Sequence, residues 1–535
     1  MNIIDAIRNR VLKFLRLDKL NSNPYGERLT YISNDEDIIK QNLQAYKVWY
    51  TGDSSELLNF YTNQQIFGNA REPIYNRNKM NYFWGLSSIE QNIKRVHSGI
   101  PNAIVTTLVN VLGIPQISIT DNPEKQALLD KILDKNDFAN LVNQQQMPMT
   151  LVEGWGAFKI NFDKNMSDVV NIQYYEGEDV EFVSKMGMII GIIYKDYYQY
   201  KDKNYILLET RRISNEGSHV EYELYKQETD NDITPVKLST IPELAELKDI
   251  IIPNYKHILG VPSKFFYDTL NKNYGKSIFA GKTDLFDDLD QDLSQCSQTV
   301  RVSTPVEYYP VDLLERQANG QPKMPKVYNR QYVEYEGLTD GDGNKDGRIY
   351  TTQPELNYEG YSANAKAILD FILTGLLSPA TLGIDVAKKD NADAQREKEK
   401  VTIMTRNNII NRQERIYKEL MNVCLAVQEY MDTGAITIED YDINVKFNEF
   451  ANPSFENEIQ VLGAAWSNGE ISTEKYVDLL WGDKLSDAEK EKEIAWLDEN
   501  RKQDNLQFGD IEDVQSIRTE LPEETEDNQE FNENE

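Results

Sequence analysis

Leu376-Leu-Ser-Pro-Ala-Thr-Leu-Gly-Ile384 is followed closely by Ala392-Asp-Ala-Gln-Arg-Glu-Lys-Glu-Lys400, and this stretch decides how the chain is read. An apolar helical pattern stops at Pro379, where the pyrrolidine ring removes a donor and clashes with the preceding turn. A short loop leads into a densely charged helix predicted from Ala392 to Tyr430, on the order of 58 Å if continuous. A buried helix, a sharp break and a long second helix make a mechanical joint rather than a reaction centre.

The segment before the joint has the same character. Lys276 to Val302 reads as one helix of roughly 40 Å. Leu285, Leu289, Leu293, Cys296 and Val300 form its apolar stripe. Asp287 and Asp290 fall on the opposite face, with Asp284, Asp288 and Asp292 flanking the stripe. Pro305 ends this helix. Strand-like Val306–Tyr309 and Gln331–Tyr335 and turns rich in Gly and Asp form a compact insert over 305–356, and a helix from Tyr361 to Leu377 brings the chain back.

Upstream, residues 36–270 read as a large α+β block. Residues 36–112 are mainly helical, and Asn122-Pro123 opens a helix reaching Val142. From Thr150 the apolar period shifts toward two, with strands at Gly156–Phe162 and Gly187–Tyr194. A hairpin joins Tyr205–Ile213 to His219–Tyr225 through Ser214-Asn-Glu-Gly217. Residues 1–20 form an amphipathic basic helix whose simplest use is docking on this protein or a partner, with a membrane surface as the alternative. Residues 453–500 give shorter helices. From 503 to 535, twelve acidic side chains stand against Arg518 alone, so a disordered acidic tail is expected.

At 535 residues the chain exceeds the size of a single core, and 40% hydrophobic residues suffice for packed domains. No apolar run is long enough for a membrane span, and no signal-peptide apolar core opens the chain. Two cysteines give no disulfide framework and suit a reducing cytosol. The net charge of −31 opposes tight binding to phosphates. Either the protein has nothing to do with DNA, or it handles DNA that must not stick.

Sites of chemistry fare poorly. Gly275-Lys-Ser277 and Gly281-Lys-Thr283 lack the first glycine of a phosphate-binding loop. Asp342-Gly-Asn-Lys-Asp-Gly-Arg-Ile349 matches the first eight places of a calcium loop, but Gln353 replaces the bidentate glutamate, and a polar hairpin turn is the better reading. The carboxylates of Asp284, Asp287, Asp288, Asp290 and Asp292 spread around the helix instead of converging as a two-metal site would require. A water-facing or channel-lining surface is the preferred role. His97, His219 and His257 lie in unrelated segments. No catalytic residue, metal or cofactor is expected.

In order, three groups of residues carry a resemblance: the helix–insert–helix unit from Gly275 to Leu377, the joint at Leu376–Asp385 with Asn391–Lys400 and Thr405–Asn408, and Asn452-Pro-Ser-Phe455 leading to Ala465–Thr473 and Ser486–Glu489. Together they resemble a portal (head–tail connector) protein of a tailed bacteriophage, of the type found in phages of Gram-positive bacteria. The resemblance covers roughly residues 36–500. It implies a helix-rich α+β portal fold, closing as a dodecameric ring at one capsid vertex.

Its parts would be an N-terminal arm (1–35), a wing (36–272), a stem helix (273–304), a clip (305–356), a returning stem helix (357–378), a tunnel loop (379–391), a long helix with more wing (392–452), a helical crown (453–502) and the acidic tail (503–535). The implied function is non-enzymatic: a channel for double-stranded DNA in packaging and ejection, and a platform for the terminase large subunit and the head–tail adaptor, in contact with major capsid and scaffolding proteins. The implied location is the virion, after synthesis in the host bacterial cytoplasm. Pro379, Thr381, Asp385, Lys388, Lys389 and Asn391 would lie nearest the DNA. Asp284, Asp287, Asp288 and Asp290 would face the stem channel. Arg396, Lys398 and Arg406 would meet acids of a neighbouring subunit. A metal-dependent nuclease or phosphohydrolase using the acid cluster near 284–292, and an acidic scaffold or adaptor working through its tail, stay open as alternatives.

Overall fold

The computed structural model describes residues 36–67, 82–85, 93–447 and 462–508, with short gaps, the longest at 324–330, 337–347, 385–391 and 482–486. The architecture is mixed α+β. The chain divides into two compact units, 1–450 and 451–535.

The first unit opens with helices α1 (Glu36–Thr51), α2 (Ser54–Phe67) and α3 (Ile100–Leu112), the helical start that the pattern predicted. Strand β1 (Pro115–Ile119) leads to α4 (Pro123–Lys135), where Pro123 occupies the first turn and the Asn122 side chain accepts the Lys125 N–H. Helical residues 138–153, ending in α5 (Met147–Glu153), include one π-helical stretch, Leu141–Gln146. It holds Gln146 in a fully buried network in which Gln146 donates to Ser263 Oγ and accepts from the Tyr417 hydroxyl, both within 2.9 Å.

Strands β2 (Trp155–Asn161), β3 (Asn171–Glu176), β4 (Val180–Lys185), β5 (Met188–Tyr200), β6 (Lys203–Ile213), β7 (Gly217–Thr229), β8 (Asp232–Val236), β9 (Ile250–Pro253) and β10 (Gly260–Lys264) follow. β4 to β8 form an antiparallel meander with β9 added on β7, while β10-β2-β3 form a second sheet. The predicted hairpin is β6–β7, closed where Ser214 N–H donates to Gly217 O. Lys159 and Arg211 both pair with buried Glu209, and Arg211 also donates to the carbonyls of Ile160 and Leu259. These bonds tie the two sheets together without leaving a buried charge unpaired.

The helix–insert–helix unit comes next. Helix α6 (Thr283–Val302) begins seven residues later than the pattern suggested. Gly281 adopts a left-handed φ of 77°, and the preceding amides serve long-range partners: Lys276 N–H donates to Phe266 O and Ile278 N–H to Leu151 O. Strands β11 (Val306–Pro310), β12 (Gln331–Tyr335) and β13 (Tyr350–Thr352) make a three-stranded sheet in which β11 runs parallel to β12 and antiparallel to β13. The calcium-like turn falls mostly in 337–347, outside the described residues. Helix α7 (Tyr358–Leu373) returns. Asn357 caps its start, and it ends before the left-handed Gly375, four residues ahead of the expected end at Leu377.

Helix α8 (Ala392–Thr433) runs for 42 residues, about 63 Å. From Ile409 onward it supplies Ile409, Tyr417, Leu420, Met421, Cys424 and Val427 to the main core, each fully buried. An aliphatic side chain buried in this way stabilises the fold by about 1.5–3 kcal/mol. Strand β14 (Ile443–Phe447) then pairs antiparallel with β1, which closes the unit on itself.

The second unit contains α9 (Thr473–Trp481) and α10 (Asp487–Phe508), packed around Tyr476, Val477 and Leu480. The ring of Trp466 stacks on Tyr476 at 5.3 Å. α10 continues to residue 508, past the point where the acidic tail was expected to begin. The expected N-terminal amphipathic helix and the tail beyond 508 lie outside the described residues.

Candidate functional site

The joint singled out by the sequence lies at the root of the α6/α7 pair, and three sets of bonds hold it. The first ties the two helices to each other. They run antiparallel: Asn364 Nδ2 donates to Asp292 Oδ1 at 2.9 Å, and the hydroxyls of Thr299 and Tyr361 meet at 3.2 Å. At the root, the Lys282 ammonium donates to the carbonyls of Phe371, Ile372 and Thr374 at the C-terminal end of α7. Those carbonyls have no helical partner, and a cation there also opposes the helix dipole. Burial, followed by nearby Lys276, pushes the Lys282 pKa down.

A second set fastens two short segments across α6, residues 82–85 and 93–98, together termed the strap. Phe83 N–H donates to Asp287 Oδ2 at 2.6 Å and Trp84 N–H to Asp287 Oδ1 at 3.2 Å. Asp290 accepts the Trp84 indole N–H at 3.0 Å and Ser98 N–H at 2.8 Å, and its Oδ2 lies 2.7 Å from His97 Nδ1. Val96 N–H donates to Ser294 Oγ at 2.9 Å. Burial pushes the Asp287 carboxyl up to about 7, against the two amide bonds that favour its anion.

This arrangement corrects the expected channel face. Asp287 and Asp290 are 3% and 0% exposed, so they do not line an open surface. Their oxygens face main-chain and side-chain donors within the same chain, because Phe83 and Trp84 open a short 3-10 turn whose first N–H groups need partners outside it. Asp284 and Asp288 are exposed, and Asp284 accepts from the Tyr82 hydroxyl. The apolar stripe also differs from expectation. Phe286 and Leu289 are buried and Leu285 and Leu293 half-buried, but Val300 is 52% exposed. α6 is thus covered on two flanks near its root, and its last residues, Val300 to Val302, are exposed.

A third set ties the break to the long helix. Leu376, Leu377 and Ser378 are buried. Ser378 N–H donates to Thr402 Oγ1 at 3.0 Å, and the Thr381 and Thr402 hydroxyls meet at 2.8 Å. Thr381, Gly383 and Ile384 donate their amides to Ser378, Ala380 and Pro379, so 378–384 is a compact turn rather than an open loop. Pro379 and Thr381 are half-buried in that turn. Asp385, Lys388, Lys389 and Asn391 lie outside the described residues, as do the side chains of Arg396 and Lys398.

Arg406 requires a second correction. Expected to reach a neighbouring subunit, it is 8% exposed and donates Nε–H to Val111 O at 2.9 Å. Its charge sits at the C-terminal end of α3, where helix carbonyls are unpartnered.

The root is therefore a packed junction, in which the strap, α7 and the break meet α6 and α8. Periodicity pointed to the helices and the break. It missed the strap and Lys282, because neither belongs to an amphipathic repeat. The nearest signal was the pair Asp287 and Asp290, polar at positions beside Phe286 and Leu289. Among the described residues, no group of three or more His, Cys, Asp or Glu side chains is disposed to hold a metal ion, and no helix is long and apolar enough to cross a membrane. Compared with known proteins, the chain matches no family model and no curated sequence.

Proposed function

We propose that this chain is the subunit of a ring-shaped portal in the capsid of a tailed bacteriophage. One observation carries the reading. An antiparallel helix pair, rooted in the main core, bears a small three-stranded sheet between its helices and is followed by a tied break and a 42-residue helix. In the portal reading, α6 and α7 are the stem, the sheet of β11–β13 is the clip, and the break with the following residues to 391 is the tunnel loop. The second unit is the crown.

The electrostatics support a conduit. A duplex presents a phosphate about every 1.7 Å, and a basic wall would hold it by releasing counterions. A chain with net charge −31 avoids that trap. Exposed Asp284 and Asp288 keep the outer face of α6 acidic. Lys388 and Lys389 would give passing DNA brief phosphate contacts. The dodecamer would take the terminase large subunit during packaging and the head–tail adaptor afterwards, in a shell built with major capsid and scaffolding proteins. The role is non-enzymatic. The nuclease alternative loses support because Asp287 and Asp290 are saturated by donors from the strap.

Gold labelling of the chain on procapsids tests this reading. Label at a single vertex is expected. Label spread over the shell, or none on particles, would overturn it.

A further inference from the structure

The root of the α6/α7 pair carries unlike charge on two sides. On one side, Arg412 of α8 lays its guanidinium 4.6 Å from the centre of the exposed Tyr267 ring. Tyr267 pairs with Gly275, and the next residue, Lys276, is exposed. Lys282 and Lys264 stand close enough to feel them: beyond burial, Lys276 lowers the Lys282 pKa and Arg412 lowers that of Lys264. Among the described residues, none of these four cations has a carboxylate at ion-pair distance. Lys282 and Lys264 are engaged with main-chain carbonyls, which leaves Lys276 and Arg412 as the reachable donors.

On the other side stand Asp284 and Asp288, both exposed and one helical turn apart. Burial and then Asp284 push the Asp288 carboxyl up. Neither has a cation at ion-pair distance among the described residues. Lys282 is turned to the end of α7 and Asp284 to Tyr82, so the two point different ways from the start of α6.

We infer that these two sides are the halves of a front-to-back contact between neighbouring copies of this chain, in which Lys276 and Arg412 of one copy receive Asp284 and Asp288 of the next. The inference rests on the ring reading and names its contact. A ring that closes by rotation needs two different, complementary patches on each subunit, and the root carries charge of both signs. Like charges crowded on one copy repel, and the partner's opposite charges relieve that repulsion. Such pairs fix register and speed encounter more than they add affinity. Nucleic acid is the poorer occupant, since two reachable cations in a chain of net charge −31 cannot follow a phosphate backbone.

Charge swapping in the full chain tests it, with sedimentation velocity as the readout. Wild type should sediment as a ring. Lys276→Glu with Arg412→Glu should give single copies, and so should Asp284→Lys with Asp288→Lys. An equimolar mixture of the two double variants, and the fourfold swap, should restore rings. Rings from either double variant alone would overturn the contact while leaving the ring reading intact. Single copies that neither the mixture nor the fourfold swap reassembles would also overturn it, by pointing to lost folding. So would a Lys276→Glu/Arg412→Glu ring whose only defect is lost DNA retention, which would make the patch a nucleic-acid surface. Wild type that never assembles would overturn the ring reading and this contact together.

Discussion

Asp290 on α6 accepts the indole N–H of Trp84 at 3.0 Å, across 206 residues of sequence, in a site closed to solvent. The same carboxylate takes Ser98 N–H and lies against His97. Removing it strands several buried donors, each at a cost of about 1–3 kcal/mol. Asp290→Ala should therefore lose on the order of 3 kcal/mol or more. Chemical denaturation of the two proteins gives the difference. A loss under about 1 kcal/mol would mean that the strap does not depend on this anchor.

Asp287 sets a pH dependence with a definite sign. Its carboxyl is raised from the usual 3.8 to about 7 when folded, so between those values the folded state binds more protons than the unfolded state. Its contribution is fully present below the unfolded value and is lost as pH rises through the folded one. Asp287→Asn does not titrate. The stability gap between wild type and Asp287→Asn should therefore narrow as pH rises from about 5 to about 8. Thermal melts across that range read it, and a widening gap would contradict the burial assigned to this carboxyl.

Lys282 joins the start of α6 to the end of α7 through three carbonyls. Lys282→Met keeps the length of the side chain and deletes the donors. Hydrogen bonds from charged groups are worth about 1.5–3 kcal/mol, and the variant should lose a comparable amount. Hydrogen exchange should also quicken at the amides near Thr374 and Gly375. Unchanged exchange there would separate the lysine from the junction.

The residues that follow the tied turn carry the prediction about transport. Residues 378–384 are bonded to Thr402, so a deletion within 385–391 spares the junction. Such a variant should still form rings but package less DNA in an assay with procapsids and terminase. Full packaging would remove the tunnel role from this segment.

Local chemistry was legible in the chain and distant pairing was not. The Asn122-Pro123 helix start, the Ser214–Gly217 hairpin and the long helix from Ala392 are written in neighbouring residues. The strap on α6 is not, because Phe83 and Trp84 carry no periodicity and meet Asp287 only after about 200 residues of intervening fold. Burial reversed the expected roles of Asp287, Asp290 and Arg406: acids and a guanidinium, normally at home in water, lie inside because main-chain groups needed partners. The pairing of β1 with β14 and the parallel pair β11–β12 likewise join segments with no shared local pattern.

Electron microscopy of the purified full-length chain tests the central claim most directly. The account predicts annular particles with an axial hole, built from many copies of the 61.8 kDa subunit side by side. Particles that stay at one 61.8 kDa copy at every concentration, with scaffolding protein present, would contradict it.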